Sequence, residues 1–224
     1  MRHVIRVWDL PTRVFHWTLV LCVVALVLTG SAGGAALAWH LPLGYTVLTL
    51  LLFRLVWGFV GGRWSRFASF VYAPSTVLRY LRGQGEPAHS LGHNPLGAGS
   101  VFAMLLALLA QVLSGLGTDD EIATTGPLVN RLGEAWVQQL THYHKEIGKP
   151  LVLALVALHL AAITYYRWRK HESLVKPMIG GDKVSTHQLP SSRDDTRSRA
   201  LALVLIVAIG ACVAWAVRQL SGAP

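Results

Sequence analysis

A chain of 224 residues that is 53% hydrophobic and only 14% charged is too apolar for an ordinary soluble domain, where about 25% of residues carry charge. Its formal charge of +9 sits beside long apolar blocks and not on a basic soluble domain, which points to membrane orientation signals and away from nucleic acid. Cys22 and Cys212 both lie inside apolar blocks and read as small buried residues; with no Cys-x-x-Cys-His run, covalent haem attachment is excluded.

Five segments are long and apolar enough to span a bilayer. The first covers about 11–31, with Asp9 as its expected N-cap and Pro11 in the first turn, where proline is tolerated. Its run into Gly30-Ser31-Ala32-Gly33-Gly34 could mimic a signal cleavage region. Trp8-Asp9-Leu10-Pro11 does not fit a signal n-region, so the segment is expected to be a mature helix. The others cover about 40–60, 95–117, 144–167 and 199–218. Residues 184–198, containing Ser191-Ser192-Arg193-Asp194-Asp195, read as a mobile polar cytoplasmic linker. Gly30, Gly33 and Gly34 end the first helix, and Gly58, Gly61 and Gly62 end the second. They permit close approach of a helix or macrocycle, or serve as ordinary terminators. Gly210 and Ala214 form a weak small-residue packing pair on the fifth.

Loop charges alternate. Arg2, Arg6 and Arg13 precede or open the first helix, Arg63, Arg66, Arg79 and Arg82 follow the second, and Arg167, Arg169, Lys170, Lys176 and Lys183 follow the fourth. The loop after the third carries Asp119, Asp120, Glu121 and Glu134 against one arginine, Arg131. The positive-inside rule then places the N-terminus in the cytoplasm, the 118–143 loop outside and, after five spans, the C-terminus outside.

Ionisable residues at membrane depth are functional candidates. His144 and His159 lie 15 residues apart on one predicted helix, about 60° apart around its axis and roughly 22 Å along it. Depth matching pairs His40 with His144 near the outer side and His16 with His159 near the inner side. Neutral imidazole is a good axial ligand for haem iron, and two on opposite faces favour electron transfer over oxygen binding. The competing reading makes each histidine a polar residue satisfied between helices. His142 competes with His144, although its 17-residue spacing from His159 turns it about 100° off the same face. A zinc site of His40, His142 and His144 is a further alternative. Arg54 follows His40 by 14 residues on nearly the same face, as a partner for a haem propionate or as a side chain snorkelling to headgroups.

Further sequence features carry a resemblance. They are Trp8-Asp9-Leu10-Pro11-Thr12-Arg13-Val14-Phe15-His16-Trp17, His40 with Gly44-Tyr45, and Phe53-Arg54-Leu55-Val56-Trp57-Gly58-Phe59. Gly92-His93-Asn94-Pro95-Leu96-Gly97-Ala98, the His144 to His159 helix, and Glu172-Ser173-Leu174-Val175-Lys176-Pro177-Met178-Ile179 complete the set. Over residues 3–183 the chain resembles the bacterial cytochrome b561 family, including the cytochrome b subunits of nickel–iron hydrogenases. The resemblance implies an all-α transmembrane four-helix bundle holding two non-covalent haem b groups, with the fifth helix outside that core. It implies iron ligation by His16, His40, His144 and His159. His93 falls in the family's glycine–histidine–asparagine–proline motif, as a propionate or quinone contact or an interfacial cap. The family's histidine–glutamate pair appears here as His144-Lys145-Glu146, and its ligand spacing can be one residue shorter.

The expected function is electron transport in a bacterial inner membrane, between quinone or quinol and a redox partner such as a c-type cytochrome or hydrogenase-like protein. The C-terminus would then be periplasmic. One alternative is a self-contained oxidoreductase passing electrons from superoxide to quinone, with Lys145 and Lys149 as candidate positive residues. Another is a non-redox membrane anchor or zinc-binding transporter subunit.

Overall fold

The computed structural model describes residues 2–122 and 124–222. Among them, five helices are long and apolar enough to cross a membrane. These are α1 (Leu10–Ala32), α2 (Leu37–Val60), α4 (Pro95–Gly115), a continuous helical run over Glu134–Arg169, and α8 (Thr196–Ser221). Short helices α3 (Pro74–Leu81) and α7 (Val175–Gly180) lie in the connections. The run over Glu134–Arg169 has three parts: α5 (Glu134–His142), a π-helical turn (Tyr143–Gly148) and α6 (Lys149–Arg169).

The helix starts follow from capping chemistry. Asp9 caps α1 by accepting the Thr12 N–H at 2.8 Å. Asn94 caps α4 by accepting the Gly97 N–H at 2.8 Å, and Asp195 caps α8 by accepting the Ser198 N–H at 2.7 Å. Gly33 and Gly34, with φ of +65° and +52°, turn the chain out of α1 so sharply that α2 begins three residues before the expected His40. The fourth span begins ten residues before the expected 144, because the polar segment Glu134–His142 is helical without being apolar.

The chain forms two compact units. The first contains Met1–Phe15, Arg54–Ala103 and Val156–Leu203. Here β1 (His3–Arg6) pairs antiparallel with β2 (Asp182–Ser185), Val4 opposite Val184, an addition to the all-α expectation. Ile5, Val7, Trp8, Trp64 and Leu91 form its apolar core. Asp9 is fully buried, and its carboxylate accepts from the Thr12 N–H, Trp57 Nε1, the Gly62 N–H and Ser65 Oγ.

The segment expected to be a mobile linker is instead docked on this unit. Ser192 is 6% exposed. Its hydroxyl donates to the Val7 carbonyl at 2.8 Å and accepts the Trp64 N–H at 3.1 Å, while its N–H donates to the Arg6 carbonyl. Trp64 Nε1 donates to the Pro190 carbonyl at 2.9 Å. Serine and aspartate side chains that read as solvated in sequence supply the hydrogen bonds that fix the segment.

Asp194 pairs with Arg6 at 3.2 Å, Arg199 at 3.0 Å and Arg13 at 3.8 Å, and accepts the Leu10 N–H. Burial pushes its carboxyl up, but the hydrogen bonds from Arg199 and Leu10 and the nearby positive charges hold it below the usual range. A carboxyl depressed in the fold stabilises it above the unfolded pKa of about 3.9, and that contribution disappears as pH falls through the folded value. Melting of detergent-solubilised protein should therefore show an acid loss of stability below about pH 4 that is reduced in Asp194→Asn. Identical pH profiles for both proteins would contradict this.

The second unit contains His16–Phe53, Met104–Leu155 and Val204–Pro224. Gly210 of α8 faces Thr49 of α2 here, with 3.5 Å from the site of a Cβ to the threonine methyl. The fifth helix thus uses its small residue for close packing.

Candidate functional site

Within the second unit, α2 supplies His40 and the π-turn supplies His144. Their ring centroids are 6.2 Å apart, with the ring planes at 81°. The two histidines border a cavity of about 610 Å³, otherwise lined largely by apolar side chains such as Val27, Leu41, Leu108, Val112 and Leu153. That volume lies in the range of cofactor pockets.

Both rings are held the same way. Thr29 gives its hydroxyl proton to the Ala25 carbonyl at 2.8 Å, so its oxygen accepts from His40 Nδ1 at 3.1 Å. His144 Nδ1 donates to the Gln111 main-chain carbonyl at 2.9 Å, with Ser114 Oγ 3.3 Å away. With Nδ1 as donor, each Nε2 keeps its lone pair for a metal. The residue after each hydroxyl is a glycine that a methyl would replace only with a clash. A Cβ on Gly30 would stand 3.0 Å from His40 Cε1, and one on Gly115 would stand 2.9 Å from His144 Cε1.

The separation suits two imidazoles on one metal ion. Metal–imidazole bonds of about 2 Å, plus about 1.2 Å from nitrogen to ring centre on each side, predict a centroid separation of roughly 6.4 Å. The zinc alternative fails. Among the described residues no three His, Cys, Asp or Glu side chains gather at a metal distance, so His142 does not join His40 and His144.

The π-turn corrects the regular-helix arithmetic. Its extra residue per turn rotates everything before it by about 100° relative to a helix running straight into α6, so the 60° offset of the sequence reading does not apply. His144 occupies the position that an uninterrupted helix would give to Lys145. Pro150 stands just after the turn; it has no N–H to continue the ladder and its ring crowds the carbonyl four residues back, which favours a break there.

The other expected residues lie as follows. His16 is half-buried on α1 in the second unit, with Trp17 edge-on at 5.1 Å. His159 is half-buried on α6 in the first unit. Arg54, also in the first unit, is only 3% exposed and does not snorkel outward. Its guanidinium lies over the Phe67 ring at 4.8 Å, and its buried Nη1 has no hydrogen-bond partner among the described residues. A buried guanidinium nitrogen left in this way suits an anionic oxygen ligand. His93 sits between the rings of Phe70 at 4.5 Å and Trp8 at 4.8 Å, and its carbonyl accepts from the Tyr72 hydroxyl. The capping role considered for it belongs to Asn94.

Sequence reasoning missed Thr29, Ser114 and Gln111 as histidine supports. The repeated hydroxyl–glycine pair, Thr29-Gly30 and Ser114-Gly115, was a readable signal, as was a lone glutamine inside an apolar span.

The chain matches the family described as prokaryotic cytochrome b561 over residues 7–181. It is 28% identical over 141 residues to the probable Ni/Fe-hydrogenase 1 B-type cytochrome subunit of Escherichia coli (strain K12), covering 51% of this chain and 60% of that protein. It is 25% identical over 218 residues to the probable Ni/Fe-hydrogenase B-type cytochrome subunit of Rhizobium leguminosarum bv. viciae, covering 82% of this chain and 90% of the relative. A similarly described subunit of Rhodobacter capsulatus is 25% identical over 215 residues, covering 79% and 80%. No solved structure matches.

Proposed function

This chain belongs to the prokaryotic cytochrome b561 family and is a membrane b-type cytochrome; from that premise we propose that it holds two haem b groups and carries electrons between the quinone pool and a redox protein. The observation that carries the reading is the facing pair His40 and His144, each with Nδ1 engaged and with a glycine clearing room for its ring. Bound iron supplies a one-electron ferric/ferrous couple.

The chain's own residues do the rest. His40 and His144 would hold one haem, whose iron supplies the redox couple. For the other, the depth match read from the sequence supports His16 and His159 as the ligands. Arg54 offers its free guanidinium nitrogen to a propionate, and His93 borders the same inner layer as a propionate or quinone contact. The apolar cavity wall keeps water away and so tunes the potential. Loop charges support a cytoplasmic N-terminus and periplasmic C-terminus in a bacterial inner membrane. The names of the relatives support a hydrogenase-like partner; a c-type cytochrome is the other candidate. The cavity wall includes Lys145 and Lys149 but also Asp119, Asp120 and Glu146, so it offers no net attraction to superoxide, and the carrier reading is preferred.

Proteoliposomes with trapped ferricyanide test this. Added quinol should bleach the trapped ferricyanide faster in vesicles carrying the protein. Bleaching no faster than in protein-free vesicles would overturn the quinone-linked, cross-membrane role.

A further inference from the structure

Gln111 lies on α4, one turn before Ser114 and Gly115. Its main-chain carbonyl takes the His144 Nδ1 proton, and its side-chain Nε2 donates to the His144 carbonyl at 2.9 Å. That carbonyl also accepts the Lys149 N–H, the five-residue bond that defines the π-turn. One residue therefore grips both the ring and the backbone of His144. Its room comes from Gly148, where a Cβ would fall 1.9 Å from Gln111 Oε1. Pro150 opens the helix ladder, Gly148 admits the glutamine, and the glutamine holds the widened turn.

We infer that Gln111 is the positioning residue for the His144 ligand, its side chain and the space at Gly148 together holding the π-turn that presents His144, and not Lys145, to the haem iron. The inference rests on the ligand assignment proposed above and adds the device that selects among neighbouring side chains. Supports of this kind commonly govern about 10–100-fold in metal affinity. They also fix ring orientation, which low-spin electron paramagnetic resonance reads directly.

The test uses the full chain in detergent, with Gln111→Leu and Gly148→Ala compared with His144→Ala. Haem content, the midpoint of each haem and the low-spin resonance are measured. Both support variants should keep the other haem unchanged. At the His40/His144 site they should lose at least about tenfold in haem affinity, or exchange the bis-imidazole resonance for a high-spin or histidine–lysine signal. If Gln111→Leu does not accumulate, Gln111→Glu keeps the shape, loses the donor and is expected to behave likewise. Wild-type haem content, midpoint and resonance in the glutamine variant would overturn the inference, provided His144→Ala loses its haem. Retention of both haems in His144→Ala would instead overturn the ligand assignment.

Discussion

Replacing His40 or His144 with alanine is expected to remove one haem and leave the other. The two rings stand 6.2 Å apart at the edge of a cavity of about 610 Å³, each aligned through Nδ1, so either deletion would take away one of the two side chains that would hold that haem. Neither Thr29 nor Ser114 is a substitute ligand, because both hydroxyls are turned to main-chain carbonyls. His142 forms no metal-binding group with them among the described residues and is not expected to rescue the site. Haem content should fall from about two to about one per chain in either variant, with the double variant no worse than the singles, since both act on the same iron. Reduced-minus-oxidised spectra of each variant give the answer. Loss of both haems in equal measure from a folded variant, or loss of none, would refute the pairing.

The second large effect belongs to Asp9. Its carboxylate is fully buried and serves four donors drawn from the first turn of α1, from α2 and from the loop beyond it. Asp9→Ala strands all of them. At about 1 kcal/mol for each orphaned donor, the low end of the usual range, the loss is about 4 kcal/mol, the helix cap included. Asp9→Asn should be milder, because it keeps the shape and part of the acceptor capacity. Gly62→Ala should resemble Asp9→Ala, because its Cβ would stand 2.5 Å from the Asp9 carboxylate. Membrane content and melting temperature check the series. Normal accumulation and melting of Asp9→Ala would contradict the role of this residue as the hub of the unit.

Both predictions separate what could be read from the sequence from what could not. Hydropathy and charge located all five spans, because lipid imposes length and apolarity on any helix that crosses it. Helix ends were harder. α5 is polar yet helical, and glycines at positive φ allowed α2 to start early. Residues 184–198 were misread because composition records that Ser192 and Asp194 are polar, not that Val7, Trp64 and three arginines have groups waiting for them.

The histidines show the same divide. Spacing and depth singled out His40 and His144, and the structure brings their rings to 6.2 Å of each other, edge to face. Periodicity assumes a regular helix and therefore missed the π-turn, although Pro150 at the start of an apolar run was a sign of a weakened ladder there. Arg54 was visible as a charge in an apolar block. That it is buried over Phe67 and not turned outward depends on a loop more than ten residues away, which no local pattern reports.

Haem quantification on the purified full-length protein, by pyridine haemochrome against protein concentration, tests the central claim most directly. Two b-type haems per chain are expected, of which His144→Ala loses one. A preparation with saturating haem supply that binds one haem or none per folded chain would contradict it.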